Sequence, residues 1–162
     1  MTTMTASQPA SRPATSPWAA ALYAGIFTAI AGIAFSLLFQ AESPILYGLA
    51  FLLTGVGPVL GYQMAAGKLG SDWMSILGGL LGFVVLVLGW ILWPILVGAM
   101  TKGQSIGKLF LWSVIGFILG VVVLLLIGTV MGQNPSWVAF GWTTGWAVWG
   151  GTVGAAMASS DN

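Results

Sequence analysis

Five long apolar runs, almost free of charge, constrain this chain more than any motif in it. They cover residues 17–40, 44–66, 72–100, 105–131 and 135–158, and the charged side chains within them are Asp72 and Lys108. At about 1.5 Å of rise per helical residue, each run can cross about 30 Å of hydrocarbon. Only 4% of the residues are charged, against about 25% in an ordinary soluble domain. We therefore predict an all-α membrane protein, with five transmembrane helices in a compact bundle.

The joints between these runs carry residues that begin and end helices. Ser16, Ser43 and Asn134 each precede a proline, an arrangement typical of a helix start. Asp72 and Ser105 offer a capping oxygen without a proline. Glycines that tolerate a left-handed backbone follow three of the runs, at positions 67, 103 and 132. The pattern predicts where most of the helices begin and end.

Both ends of the chain are expected to lie outside the bundle. Residues 1–16 are rich in Thr, Ser and Pro, which predicts a flexible or extended tail, and we expect it to be retained rather than cleaved as a signal peptide. Residues 159–162 form a short C-terminal tail. With five crossings, Trp18, Trp73 and Trp137 would stand at one membrane face, as in an interfacial aromatic belt.

The basic residues do not fix the orientation under this five-helix prediction. They divide evenly between the two faces, with Arg12 and Lys68 on one side and Lys102 and Lys108 on the other. The positive-inside rule therefore gives a tie. The α-amino group adds one charge beside Arg12, so we predict a cytoplasmic N-terminus, in the inner (cytoplasmic) membrane of a bacterium.

Residue types that support catalysis or metal binding are scarce. The chain has no Cys and no His, which are the commonest ligands of zinc, copper, haem and iron–sulfur clusters. The carboxylates of Glu42, Asp72 and Asp161 lie far apart in the sequence, so no pair is expected to act as general acid and base. The net charge is +1 without a run of basic residues, which does not indicate nucleic acid as a partner. We expect neither catalysis nor a bound metal.

Two prolines lie inside predicted helices. Pro58 cannot donate to the carbonyl of Thr54, and Pro94 cannot donate to the carbonyl of Trp90, so both helices are expected to kink there. Transporters use such freed carbonyls to bind ions. Proline kinks are also common in membrane helices and are satisfied by neighbouring groups, and we favour this structural interpretation because no acidic residue accompanies either proline.

The last run places Trp142, Trp146 and Trp149 on one face of a helix otherwise made of small residues. We predict that these indoles, with Gly141 and Gly145, form a lateral contact with another subunit. Indoles in the hydrocarbon region also suit stacking on a flat apolar cofactor such as a quinone, a carotenoid or a chlorin. No bound cofactor is expected on balance, although bound lipid is.

One short segment has a counterpart in a known family. The sequence Gly-Gln-Ser-Ile-Gly-Lys at Gly103–Lys108 resembles the Gly-Gln-(Thr/Ser)-x-Gly-Lys loop of the RDD family of small membrane proteins. The likeness covers these six residues alone. The family's Arg-Asp-Asp signature has no counterpart in residues 28–40, which carry no charge. The resemblance therefore transfers no function and no site residue.

Three functions are compatible with these features. The first is a non-catalytic accessory subunit that stabilises a hetero-oligomeric membrane complex, such as one of respiratory or photosynthetic electron transfer, with other membrane subunits and lipids as partners. The second is a small homo-oligomeric channel or carrier. The third is a module that binds a quinone, carotenoid or chlorin. We favour the first because no Asp, Glu, Lys, Arg or His lies near the middle of any apolar run, where ion transfer would need one.

Overall fold

The computed structural model describes residues 15–39, 43–84, 88–132 and 134–160. The chain is all-helical and 84% helical, without strands in the described ranges. The helices are α1 (Pro17–Phe39), α2 (Pro44–Ala65), α3 (Trp73–Gly82), α4 (Gly89–Met100), α5 (Ile106–Met131) and α6 (Pro135–Ala158). Three of them, α1, α2 and α5, are long and apolar enough to cross a membrane. The N-terminal tail up to residue 14 and the last two residues of the C-terminal tail lie outside the described residues.

The helix boundaries follow the capping residues in the sequence. A side-chain oxygen accepts a hydrogen bond from a first-turn amide at Asp72, Ser105 and Asn134. Glycines with positive φ stand at the three predicted positions, 67, 103 and 132, and also at 70. The side chain of Ser43 makes no such cap bond, although α2 begins at the following proline. Five of the six helices therefore begin beside a proline or a capping residue of the sequence.

Helix α1 lies between α2 and α6 and is antiparallel to both. Small residues make this contact close: a β-carbon added at Gly61 of α2 or at Gly154 of α6 would collide with Ala24 of α1. One turn further along α1, a β-carbon at Gly57 would lie 2.7 Å from the hydroxyl oxygen of Thr28. Such approach of backbones supplies the dispersion contacts that hold helices together in lipid.

The predicted third span, residues 72–100, is an antiparallel pair of short helices. A β-carbon at Gly82 of α3 would lie 2.6 Å from the Cα of Trp93, and one at Gly78 would lie 3.2 Å from the carbonyl oxygen of Leu96. Gly82 thus faces Trp93 and Gly78 faces Leu96, which is the pairing expected of two antiparallel helices. Glycine leaves this face of α3 without side chains, so α4 can fold back onto it closely. The single continuous helix is wrong, and five spans are not confirmed.

The helices close into a ring in chain order. α3 packs on α2, α4 packs on α5, α5 packs on α6, and α6 returns to α1. Neighbours run antiparallel, so the starts of α1, α3 and α5 and the ends of α2, α4 and α6 share one end of the bundle. This end, called the lysine end below, also holds Lys68, Lys102 and Lys108. The three lysines thus lie together at one end of the bundle, whereas the sequence prediction divided them between two faces.

The folded-back pair also changes the predicted aromatic belt. Trp18 at the start of α1 and Trp73 at the start of α3 lie at the lysine end, whereas Trp137 at the start of α6 lies at the opposite end. The three indoles do not share a face. Helix α3 begins at the lysine end and α4 returns to it, so the pair does not carry the chain to the opposite end. Helices α5 and α6 therefore run in the direction opposite to that of the five-span prediction.

Candidate functional site

Two tryptophans form the centre of the bundle. Trp93 of α4 is 0% exposed and Trp149 of α6 is 1% exposed. Their ring centroids are 5.4 Å apart, with an angle of 75° between the ring planes. Phe83, at the end of α3, lies 5.3 Å from Trp149 in a similar edge-on arrangement. Edge-to-face pairs of this kind stabilise beyond the apolar area they bury.

The indole N–H of Trp93 is used beside the first proline. It donates to the carbonyl oxygen of Gly55 at 2.6 Å. This carbonyl lies one residue after that of Thr54, the group that loses its helical donor to Pro58. Helix α2 runs through Pro58 without interruption. The tryptophan of α4 therefore supplies a hydrogen bond to α2 next to the carbonyl that loses its helical donor.

The second proline is supported by a two-step chain of hydrogen bonds. Pro94 removes the helical donor to the Trp90 carbonyl, and the hydroxyl of Ser113 in α5 donates to this oxygen at 2.7 Å. The indole N–H of Trp149 donates in turn to the Ser113 hydroxyl at 3.1 Å. The carbonyl that the sequence predicts to be free is therefore bonded within the chain. The kinks themselves stay a prediction.

A polar network at the lysine end joins α2 to α3. The amide nitrogen of Gln63, which is fully buried, donates to the carbonyl of Asp72 at 2.8 Å and to the hydroxyl of Ser75 at 2.9 Å. Its amide oxygen accepts from the backbone N–H of Gly70 at 2.7 Å. Sequence reasoning missed Gln63 and Ser113 as organising residues. The signal was their placement as amide and hydroxyl groups inside apolar runs, where polar groups require a partner.

The segment that resembles the RDD-family loop caps the end of α6. The Gln104 side-chain nitrogen donates to the carbonyl of Met157 at 3.1 Å, and the Lys108 ammonium donates to the carbonyl of Ser159 at 2.6 Å. The last carbonyls of a helix lack intrahelical donors and carry the negative end of its dipole. Gln104 and Lys108 thus fix the end of α6 against the start of α5.

The three tryptophans of the predicted ridge face different surroundings. Trp149 is inside the chain, Trp146 is half-buried, and Trp142 is 41% exposed. Trp146 packs edge-on against Phe51, Phe83 and Trp149 at centroid distances of 6.3, 5.8 and 5.8 Å. Trp142 also contacts a ring of the same chain, that of Phe35 in α1, with centroids 6.4 Å apart. It is the most exposed member of the ridge.

The two predicted contact glycines also face the chain's own α5. A β-carbon at Gly145 would lie 2.9 Å from the carbonyl oxygen of Gly120, and one at Gly141 would lie 2.9 Å from a methyl carbon of Leu124. The close backbone approach that the sequence predicts is therefore present, and its partner is a helix of the same chain.

An apolar groove lies along the seam between α5 and α6. It contains about 300 Å³ of space, including the part that is open to the outside. All three ridge tryptophans contribute to its walls, whose residues are Phe117, Gly120, Val121, Leu124, Trp142, Gly145, Trp146 and Trp149. Phe117 stacks on Trp90 of α4, with centroids 4.9 Å apart and planes 9° from parallel. The groove therefore begins beside the stack of α4 on α5.

Within the described ranges, no group of three or more His, Cys, Asp or Glu residues is placed to hold a metal ion. The chemistry that the site offers is apolar contact, edge-on aromatic packing and a few fixed hydrogen bonds. Comparison of the chain with protein families, with curated proteins and with solved structures gives no match.

Proposed function

We propose that the chain crosses the membrane four times, through α1, α2, α5 and α6, and that α3 and α4 form a re-entrant hairpin. Support for α6 comes from its contacts along α1: Gly32 meets Thr143, and Ser36 donates to the carbonyl of Ala139 at 3.4 Å. A helix that lies beside α1 over its length crosses wherever α1 crosses. Helices α3 and α4, with 10 and 12 residues, are about 15 and 18 Å long, about half of the hydrocarbon thickness.

The proposed topology also gives an orientation. Three lysines lie at the lysine end, and Arg12 precedes α1, which starts there. The loops at the opposite end, residues 40–43 and 132–134, contain no Lys or Arg in the sequence. The positive-inside rule then places the lysine end in the cytoplasm. The start of α1 and the end of α6 then face the cytoplasm, with the protein in the cytoplasmic membrane of a bacterium.

The function we propose is that of a non-catalytic accessory subunit, a scaffold that stabilises a larger membrane complex. The observation that carries it is the bonded core. Trp93 and Trp149 pack against each other. Trp93 donates its indole N–H to Gly55 of α2, and Trp149 donates to Ser113 of α5, whose hydroxyl bonds α4. Such a core holds α2, α4, α5 and α6 in one arrangement, which suits a scaffold.

The channel or carrier draws less support from this geometry. A broken-helix ion site needs carbonyls that are free to coordinate an ion. At Pro94 the freed carbonyl, that of Trp90, accepts from Ser113. This bond favours Pro94 as a packed structural element over Pro94 at a gate.

Co-purification tests the accessory role. The tagged chain, extracted from native membranes in a mild detergent, should retain other membrane subunits at a fixed ratio. Trp142→Ala should weaken this retention because it removes the outward indole of the ridge, whereas Trp18→Ala, at an 86% exposed position on α1, should leave it unchanged. Isolation of the wild-type chain without any other subunit would count against the proposal. Normal assembly of the membrane complexes in cells that lack this protein would also count against it.

A further inference from the structure

Residues 73–100 are apolar enough to cross the membrane as a single helix. They include no charged side chain, and their helices α3 and α4 are antiparallel in the structure. A single helix and a folded-back pair both place the same apolar side chains in hydrocarbon. Hydropathy therefore does not decide between the two arrangements. The choice depends on the packing of this segment and on the residues that flank it.

Packing stabilises the pair once α3 and α4 lie side by side. The close contact between Gly82 and Trp93 needs the folded-back arrangement, because a straight helix would separate these two residues by about 16 Å. The hydrogen bond from Trp93 to Gly55 needs it too. Gly55 lies about 15 Å before the end of α2, whereas Trp93 would lie about 30 Å from the start of a straight helix. These contacts hold the hairpin, but they require that α4 has already returned to the lysine end.

The lysines around the pair distinguish the two arrangements independently of packing. Lys68 precedes α3, and Lys102 and Lys108 follow α4. In the hairpin all three lie at the lysine end, whereas a single span would carry Lys102 and Lys108 to the side opposite Lys68. Lys and Arg in short loops are retained in the cytoplasm, and charges added late in a chain can reverse its topology. The hairpin thus agrees with the positive-inside rule at each lysine, and the single span conflicts with it at two.

The hydrogen bond of Lys108 does not make this choice. Its ammonium donates to the carbonyl of Ser159, which joins the start of α5 to the end of α6. These two helices are an antiparallel pair, so the bond can form whichever way the pair is inserted. What differs is the side of the membrane on which the bond lies. The positive charges of Lys102 and Lys108 favour one side, and the cap of α6 does not.

We propose that Lys102 and Lys108 are the topological determinant of this chain, a role that rests on the four-crossing topology proposed above. Their charges retain residues 101–108 in the cytoplasm, so residues 73–100 must fold back. Replacement of either lysine alone leaves one charge in this loop, and the hairpin persists. When both charges are lost, residues 73–100 cross as one helix, and α5 and α6 are inserted in the reverse direction.

Single cysteines in the full chain, synthesised in a cell-free system with inverted inner-membrane vesicles, measure the direction of insertion. Ser71→Cys lies in the exposed segment before α3 and faces the outside of these vesicles in either arrangement. Ser136→Cys, at the start of α6, lies inside the vesicles when the hairpin forms and outside when a single span forms. With the native lysines, a membrane-impermeant maleimide should therefore label Ser71→Cys and leave Ser136→Cys unlabelled. A permeant maleimide gives the total.

Moving the positive charge should change the labelling of Ser136→Cys. Lys102→Gln and Lys108→Gln neutralise the retained loop, and Val130→Lys adds a charge near the end of α5, where the side chain is 79% exposed. In this triple variant, impermeant labelling of Ser136→Cys should rise at least fivefold, with labelling of Ser71→Cys unchanged. The double variant without Val130→Lys should show a smaller rise. Counting only chains that resist alkaline extraction separates inserted from aggregated protein.

Two matched controls separate the charge from the substitutions. Lys102→Arg, Lys108→Arg and Val130→Lys together change the same three positions but keep both charges in the loop. Lys68→Gln with Val130→Lys removes a lysine whose side is the same in both arrangements. In each control Ser136→Cys should stay protected from the impermeant maleimide, as it is with the native lysines.

The outcomes distinguish this proposal from the topology on which it rests. If Ser136→Cys stays protected in both glutamine variants, or becomes reactive in the arginine control as well, Lys102 and Lys108 do not select the hairpin, although the hairpin itself stands. Loss of labelling at Ser71→Cys would show inversion of the whole chain and would also overturn the proposal. Labelling of Ser136→Cys with the native lysines would contradict the four-crossing topology itself.

Discussion

The indole N–H of Trp93 donates to the carbonyl of Gly55 at 2.6 Å, a bond between residues 38 positions apart. It joins the returning half of the hairpin to α2, three residues before the proline that weakens that helix. A second chain of bonds, from Trp149 through Ser113 to the carbonyl of Trp90, supports the other proline. A tryptophan N–H from another helix is thus part of the hydrogen bonding near each proline, directly at Gly55 and through Ser113 at Trp90.

Replacing Trp93 with phenylalanine should destabilise the bundle. The substitution keeps an aromatic ring beside Trp149 but removes the donor to Gly55, and it leaves space where the larger indole was. We expect the free energy of unfolding in mixed detergent micelles to fall by about 1–3 kcal/mol. The same change at Trp18, which is 86% exposed, should alter it by less than about 0.5 kcal/mol. Equal effects at the two positions would contradict the assigned role of the indole N–H.

Ser113→Ala should destabilise the chain by about 1–2 kcal/mol, because it leaves both the Trp90 carbonyl and the Trp149 N–H without their described partner. Pro94→Ala supplies a backbone N–H that can reach the Trp90 carbonyl. In the Pro94→Ala background, the cost of Ser113→Ala should therefore shrink. A double-mutant cycle on unfolding free energies measures this coupling, and strictly additive effects would show that the two residues do not share the carbonyl.

The features that local sequence determines were predictable. The caps at Asp72, Ser105 and Asn134 and the glycines that end three runs depend on the residue types at those positions, and they are found as predicted. The hairpin was not predicted, because residues 83–88, between the two helices, are all apolar and include no Gly or Pro to mark a turn. A signal was present in the length of the 72–100 run, which as one helix would be about 43 Å long, well above the hydrocarbon thickness.

The direction of the tryptophan ridge was harder to predict from sequence. In a soluble protein an apolar face points inward, but in lipid both the interior and the exterior are apolar, so hydropathy does not separate them. The small residues around Trp149 were the better guide. Gly150 packs against Thr28 of α1, and Gly116 of α5 packs against Thr152 and Trp149, which shows that this part of α6 is enclosed. Trp142, one turn beyond Trp146, contacts Phe35 of α1 with ring centroids 6.4 Å apart and is 41% exposed.

Glycine substitutions in α2 should separate packed from open positions. Gly61→Ala places a methyl group against the backbone of Ala24 in α1. Helix α1 cannot shift away from this methyl group without losing its contact with α6. We expect a loss of about 3 kcal/mol or failure to fold. Gly48→Ala, in the same helix, meets nothing within 4 Å and should be neutral or slightly stabilising. Thermal stability in detergent, followed by size-exclusion chromatography, distinguishes the two, and a tolerated Gly61→Ala would show that α1 and α2 lie further apart.

Single cysteines test the hairpin directly, since the chain contains none of its own. Lys68 and Lys102 flank the α3–α4 pair, in the segments before and after it. A hairpin places both on the same side of the membrane, whereas one continuous span would place them on opposite sides. Lys68→Cys and Lys102→Cys should therefore react with a membrane-impermeant maleimide in inverted vesicles and not in intact cells. A permeant maleimide should label both in either preparation.

Ser136→Cys, at the start of α6, provides the opposite reference. It lies at the end of the bundle away from the lysines, so it should react in intact cells and not in inverted vesicles. If all three cysteines exchange sides, the hairpin stands and the positive-inside assignment is reversed. If positions 68 and 102 react from opposite sides, the hairpin does not exist in the membrane, since no rotation of a folded-back pair separates its two ends across a bilayer.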